Sequence, residues 1–169
     1  DILRCLPDSG PRLMTFSQDG RFAYINCELS NTINVYRYDG SGKNPEFELI
    51  QTVETIMDKE EVSSACCALK FSPSGKYLLT SSAGENTVGI FSVDKESGLL
   101  EKICILPISG GYPKDVDMLP DEKTLVVLCH ESNYIRFFTV DYERRVIIMK
   151  GKQLPVETPN CILISETRM

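Results

Sequence analysis

A short block of apolar and turn residues recurs along this chain, and that repetition restricts the fold more than any other feature. Phe16-Ser17-Gln18-Asp19-Gly20-Arg21-Phe22-Ala23-Tyr24 returns as Phe71-Ser72-Pro73-Ser74-Gly75-Lys76-Tyr77-Leu78-Leu79, and more loosely as Met118-Leu119-Pro120-Asp121-Glu122-Lys123-Thr124-Leu125-Val126. Each copy runs into a polar turn and another strand-like run, at Asn31–Tyr36, Asn86–Phe91 and Asn133–Phe138. The anchors Phe16, Phe71 and Met118 are 55 and 47 residues apart, and a fourth start, Pro159–Ile164, ends 46 residues further on. Four-stranded propeller blades repeat at roughly 40–50 residues.

The local chemistry agrees with that period. β-Branched and aromatic runs broken by Asp-Gly, Ser-Gly or Asn-rich turns are the mark of successive hairpins. The expected fold is an all-β, partial β-propeller of about three to four four-stranded antiparallel blades, one domain over 1–169. Blades are expected at about 12–56, 65–108 and 113–156, with a further inner strand at 159–165. Helical patterning is weak; Glu54 to Val62 is read as one helical turn in an insertion that lengthens the first period. A β-sandwich is the alternative, and three copies in phase argue against it.

Composition excludes several function classes. The net charge of −6 comes without any block of Lys or Arg, so the basic footprint of a nucleic-acid binder is missing. No apolar run reaches the roughly 20 residues of a membrane helix. The opening Asp1-Ile2-Leu3-Arg4 has no basic-then-apolar leader, and with no initiating Met it reads as a piece of a longer chain. Seven cysteines form no C-x-x-C pair and there is one histidine, so neither a metal nor another cofactor is expected. The thiols are read as reduced and mostly buried, which fits a cytoplasmic protein.

The motif Gly10-Pro11-Arg12, followed by Phe16-Ser17-x-Asp19-Gly20-Arg21 and Asn26-x-Glu28-Leu29-Ser30-Asn31-Thr32, is similar to the lactonase family of seven-bladed propellers. That family includes propeller-type 6-phosphogluconolactonase and carboxy-cis,cis-muconate cyclase. Phe71-Ser72-Pro73-Ser74-Gly75-Lys76-Tyr77, Gly110-Gly111-Tyr112-Pro113-Lys114-Asp115 and Pro159-x-Cys161 also resemble it. A seven-bladed ring at this period needs about 320–350 residues, so the resemblance implies the C-terminal half of a ring. The remaining blades would come from the rest of the chain or from a second copy.

Residues equidistant from a hairpin turn come back together, which brings Arg12 and Glu28 to one rim of the propeller. The repeat places Cys67, Lys114 and Asn160 at the Arg12 position, and Ala83 and His130 at the Glu28 position. Arg12, Lys114, Glu28 and His130 would then face one channel mouth, a pocket for a small anionic lactone. The resemblance implies catalytic roles for Arg12 and Glu28. An Arg can hold an anion or stabilise charge on a lactone oxygen, and a Glu can take a proton from water. Lys114 and His130 are the substrate-binding candidates.

The simpler readings are an Arg–Glu ion pair that only orders the rim, and a hydrogen-bonded turn histidine. The chain departs from the family pattern at Leu13, where many members have His, at Ser82-Ala83, where the family often carries Arg, and at Lys114, where it has Arg. Two functions therefore stand open: a metal-independent hydrolase or lactonising enzyme for an acidic sugar lactone, and a non-catalytic propeller that binds a metabolite or a partner protein.

Overall fold

The computed structural model describes residues 2–57 and 65–165. Three antiparallel sheets follow one another along the chain. The first contains β1 (Pro11–Phe16), β2 (Phe22–Cys27), β3 (Thr32–Asp39) and β4 (Glu46–Glu54), paired in that order. The second contains β5 (Cys66–Phe71), β6 (Tyr77–Ser82), β7 (Thr87–Val93) and β8 (Leu100–Pro107). The third runs through β9 (Pro113–Met118), β10 (Thr124–Cys129), β11 (Tyr134–Asp141) and β12 (Val146–Met149), with β13 (Leu154–Pro155) also pairing with β11. Four-stranded meanders in series, with β5 lying against both β1 and β9, are the wedges of a propeller.

Burial follows from this stacking. β2 and β10 are buried along their whole length, since each has a strand on both sides and sends its apolar side chains into the clusters that pack against its sheet. One apolar cluster, including Tyr24, Ile33, Val35, Leu78 and Phe91, fills the joint between the first and second sheets. Another, including Leu79, Ile90, Val116, Met118 and Val127, fills the joint between the second and third. Leu3 and Cys5 pack on a third cluster, Ala23, Ile25, Cys27 and Tyr36, on the far side of the first sheet.

Each β2–β3-type turn carries an asparagine in the left-handed region, Asn31, Asn86 and Asn133, with φ of 52°, 55° and 57°. Asparagine tolerates that region better than other non-glycine residues. Each of the three also accepts a backbone N–H from the chain beyond its own sheet, and for Asn31 and Asn86 that chain opens the next sheet. Asn31 Oδ1 accepts from Ala65 N at 3.3 Å, Asn86 Oδ1 from Tyr112 N at 2.7 Å, and Asn133 Oδ1 from Thr158 N at 2.8 Å.

Two expectations need correction. Residues 159–165 form no strand. No described strand lies beside them to complete a ladder, so side chains hold the backbone instead. Lys70 Nζ donates to Ile162 O, and Ile162 N donates to Asp115 Oδ2 at 2.9 Å. The helical turn over 54–62 also fails where it is described: Glu54 ends β4, Ile56 and Met57 form a bend, and 58–62 lie outside the described residues.

Candidate functional site

The innermost hairpin of every sheet is irregular at one end, and the irregularities coincide with the residues singled out above. β1 pairs Pro11 with Cys27 and then Leu13 with Asn26, skipping Arg12. β9 pairs Pro113 with Cys129 and then Asp115 with Leu128, skipping Lys114. β5 breaks its register between Cys66 and Leu69, around Cys67. A bulged residue leaves the ladder and its side chain is re-aimed. Both cations of the expected pocket are thus bulge residues at the same rim.

Arg12 Nη1 donates to Glu28 Oε2 at 2.8 Å, with the two side chains 34% and 31% exposed. That bond is the main reason the guanidinium pKa lies above its ordinary value; burial opposes it, and the Glu28 charge adds to it. Only Nη1 is engaged by a described residue, which leaves the other guanidinium N–H groups for a ligand. Glu28 is held in place by its backbone N–H, which donates to Gly10 O at 2.7 Å.

Lys114 and His130 meet through Tyr112. The Lys114 ammonium lies over the Tyr112 ring, 5.1 Å from its centroid, and the imidazole is 5.8 Å from the same ring, tilted by 53°. His130 Nδ1 lies 3.1 Å from Pro159 O. A carbonyl can only accept, so Nδ1 carries a proton and Nε2 is the basic nitrogen of the neutral ring. Burial pushes the Cys67 thiol pKa up, while Arg12 and Lys114 both pull it down. Cys67 therefore lies in the field of both cations and links the two halves of the rim.

The structure thus joins Arg12 directly to Glu28, and Lys114 and His130 to each other through a shared ring. No hydrogen bond connects the two pairs among the described residues. Two side chains escaped the sequence reading. Tyr112, at φ 56°, is held by Asn86 Oδ1 and by its own carbonyl, which accepts from His130 N at 3.0 Å. Asn26, fully buried, accepts from Leu13 N at 2.8 Å and donates to Cys67 O at 3.4 Å, tying the Arg12 bulge to the second sheet. A polar amide inside the apolar run Phe22–Cys27 was the available signal for Asn26.

Comparison with known proteins decides the family. Residues 2–164 match the family described as lactonase, 7-bladed beta-propeller. The chain belongs to the lactonase family of seven-bladed β-propellers. The Bacillus subtilis 6-phosphogluconolactonase is 27% identical over 156 residues, which is 92% of this chain and 44% of that protein. The Formosa agariphila 6-phosphogluconolactonase is 30% identical over 145 residues, 85% of this chain and 40% of that protein. Among solved structures, the Pseudomonas aeruginosa periplasmic gluconolactonase superposes with a TM-score of 0.86 at 28% identity, covering 94% of this chain and 43% of its own. The chain spans less than half the length of these relatives. Among the described residues, no helix is long and apolar enough to cross a membrane.

Proposed function

We propose that this chain carries part of the active cleft of a lactone hydrolase acting on an acidic sugar lactone, with 6-phosphogluconolactone the leading substrate. The observation that carries this reading is the bulge-directed placement of Arg12, ion-paired to Glu28, on the rim that also presents Lys114. Names of relatives support the substrate class. In the proposed reaction Glu28 takes a proton from water as the oxygen attacks the lactone carbonyl. Arg12 stabilises the oxyanion that develops. The ring C–O bond then breaks, and the proton passes to the departing ring oxygen to give the open hydroxy acid. Lys114 and His130 bind the anionic tail of the substrate. The remaining blades are assigned to the rest of the protein, and the cytoplasm to its location, on the strength of seven free thiols.

Hydrolysis of 6-phosphogluconolactone by the full-length protein tests the reading. Arg12→Ala and Glu28→Gln should each lower kcat/KM by about a hundredfold, the scale of losing one oxyanion donor or general base. Unchanged rates in both variants would remove these residues from the mechanism. A second reading, binding without turnover, is favoured by Leu13 and Ala83, which put apolar groups where the family often carries polar ones. Calorimetric binding of 6-phosphogluconate by a protein that hydrolyses neither the phosphorylated nor the plain lactone would select it.

A further inference from the structure

The first and third sheets hold their rim cations in different ways. The repeat register takes Gly10 to Tyr112, Arg12 to Lys114, Glu28 to His130 and Leu29 to Glu131. The backbone agrees with that register: Glu28 N donates to Gly10 O at 2.7 Å, and His130 N donates to Tyr112 O at 3.0 Å. Gly10 and Tyr112 both precede a proline, and both lie in the left-handed region, at φ 65° and 56°. Glycine enters that region freely. A bulky residue there is uncommon, and points to a use for its side chain.

Space decides which sheet can take a ring. A Cβ on Gly10 would meet Leu29 Cγ at 2.6 Å, well inside the separation at which carbon atoms pack. In the third sheet the residue matching Leu29 is Glu131, which is exposed and whose carboxylate lies beside Gly111. The ring of Tyr112 is admitted here, and Asn86 Oδ1 holds its amide at 2.7 Å.

The consequence is electrostatic. Arg12 is held by Glu28 at 2.8 Å, and the two charges offset each other. Lys114 is held by a ring instead, its ammonium 5.1 Å from the Tyr112 centroid, with the His130 imidazole 5.8 Å from the same ring. An aromatic ring attracts an ammonium through its quadrupole while carrying no net charge. Among the described residues Lys114 forms no ion pair; its neighbour Asp115 engages Lys70 at 2.7 Å, and Glu28 engages Arg12. We infer that Tyr112 is a positioning residue that fixes Lys114 without neutralising it, and that the rim thereby selects a phosphorylated sugar acid or lactone over the plain one, with the phosphate at the Lys114 end. That role presupposes the lactone site proposed for this rim.

Calorimetric titration of the full-length protein with 6-phosphogluconate and with gluconate tests it. The wild type should bind the phosphorylated acid at least about tenfold more tightly, the scale of a hydrogen bond to a charged group. Tyr112→Asn tolerates the left-handed backbone but has no ring, and should lower that preference about threefold to fivefold, the scale of an exposed cation–π contact. Tyr112→Phe should keep the preference, because the ring makes both contacts. Lys114→Met should lower it at least as far as Tyr112→Asn does. Tyr112→Asn added to Lys114→Met should lower it no further, because a residue acting only through Lys114 then has nothing to position. A wild type without the preference, a Phe variant that behaves like the Asn variant, or additive losses in the double variant would each overturn the inference. The preference and its pattern of loss in a protein that opens no lactone would remove the proposed hydrolysis and keep the role of Tyr112. If Tyr112→Asn does not fold, Tyr112→Gly, which restores the residue of the first sheet, is judged by the same criteria.

Discussion

Lys70 lies three residues along β5 from the rim position Cys67, and it neutralises two carboxylates that the third sheet sends toward it. Its ammonium is 2.7 Å from Asp115 and 3.7 Å from Asp117, whose side chains are only 10% and 12% exposed. Removing one member of such a cluster strands charge in a poorly hydrated place, at a cost of about 3–5 kcal/mol. Lys70→Met should therefore lower stability by that order in urea unfolding. Lys70→Met with Asp115→Asn and Asp117→Asn should recover most of it. A single variant as stable as wild type would show that water reaches these carboxylates. Nothing in the sequence paired Lys70 with Asp115, because their contact depends on how two sheets dock. Arg12 and Glu28 were legible as a pair for the opposite reason: both lie on one hairpin, where counting from the turn suffices. Lys114 and His130 were legible through the repeat register. Tyr112, which joins them, was not, since it takes a left-handed backbone and its amide is held by Asn86 from another sheet.

Strands and turns were readable because each blade spells out its own hairpins. The bulges at Arg12, Cys67 and Lys114 were not, because a skipped residue leaves the alternation of neighbouring strands almost unchanged. The expected inner strand at 159–165 shows the limit of local reading: an apolar run becomes a strand only with a partner. The recurrent asparagine is the element that turns separate hairpins into a stack. Asn86 combines strain tolerance at φ 55° with a 2.7 Å acceptor for Tyr112 N. Asn86→Ala should lose both, at about 1–2 kcal/mol for the backbone and about 1 kcal/mol for the hydrogen bond. Asn86→Gly should lose mainly the hydrogen bond, because glycine adopts φ > 0 freely. If both variants melt alike, the hook rather than the turn geometry carries the stability. If the Gly variant melts like wild type, the hook contributes nothing and Tyr112 is positioned by its other contacts.

In a propeller each sheet is covered by its neighbours, so the first and last sheets of this chain are the ones with uncovered faces. On β1, Met14 and Phe16 point to one side and are 44% and 41% exposed. On the outer face of the third sheet, Ile148 and Leu154 are 55% and 51% exposed. Scattered exposed apolar residues are ordinary, but those gathered on terminal sheets mark surfaces that a repeat architecture normally stacks. In the seven-bladed family to which this chain belongs, further blades would cover both. When the 169 residues are produced alone, the first-sheet face of one copy and the third-sheet face of another are the available partners. Such head-to-tail contacts either close a ring or grow into open chains. Sedimentation velocity of the isolated chain should show mass rising with concentration. Met14→Lys on one face and Ile148→Lys on the other should each reduce that association, because either substitution puts a charge into a buried apolar contact. A monomer at all concentrations that melts cooperatively would show that three stacked sheets stand unaided, with inter-sheet joints strong enough to make further blades dispensable for folding.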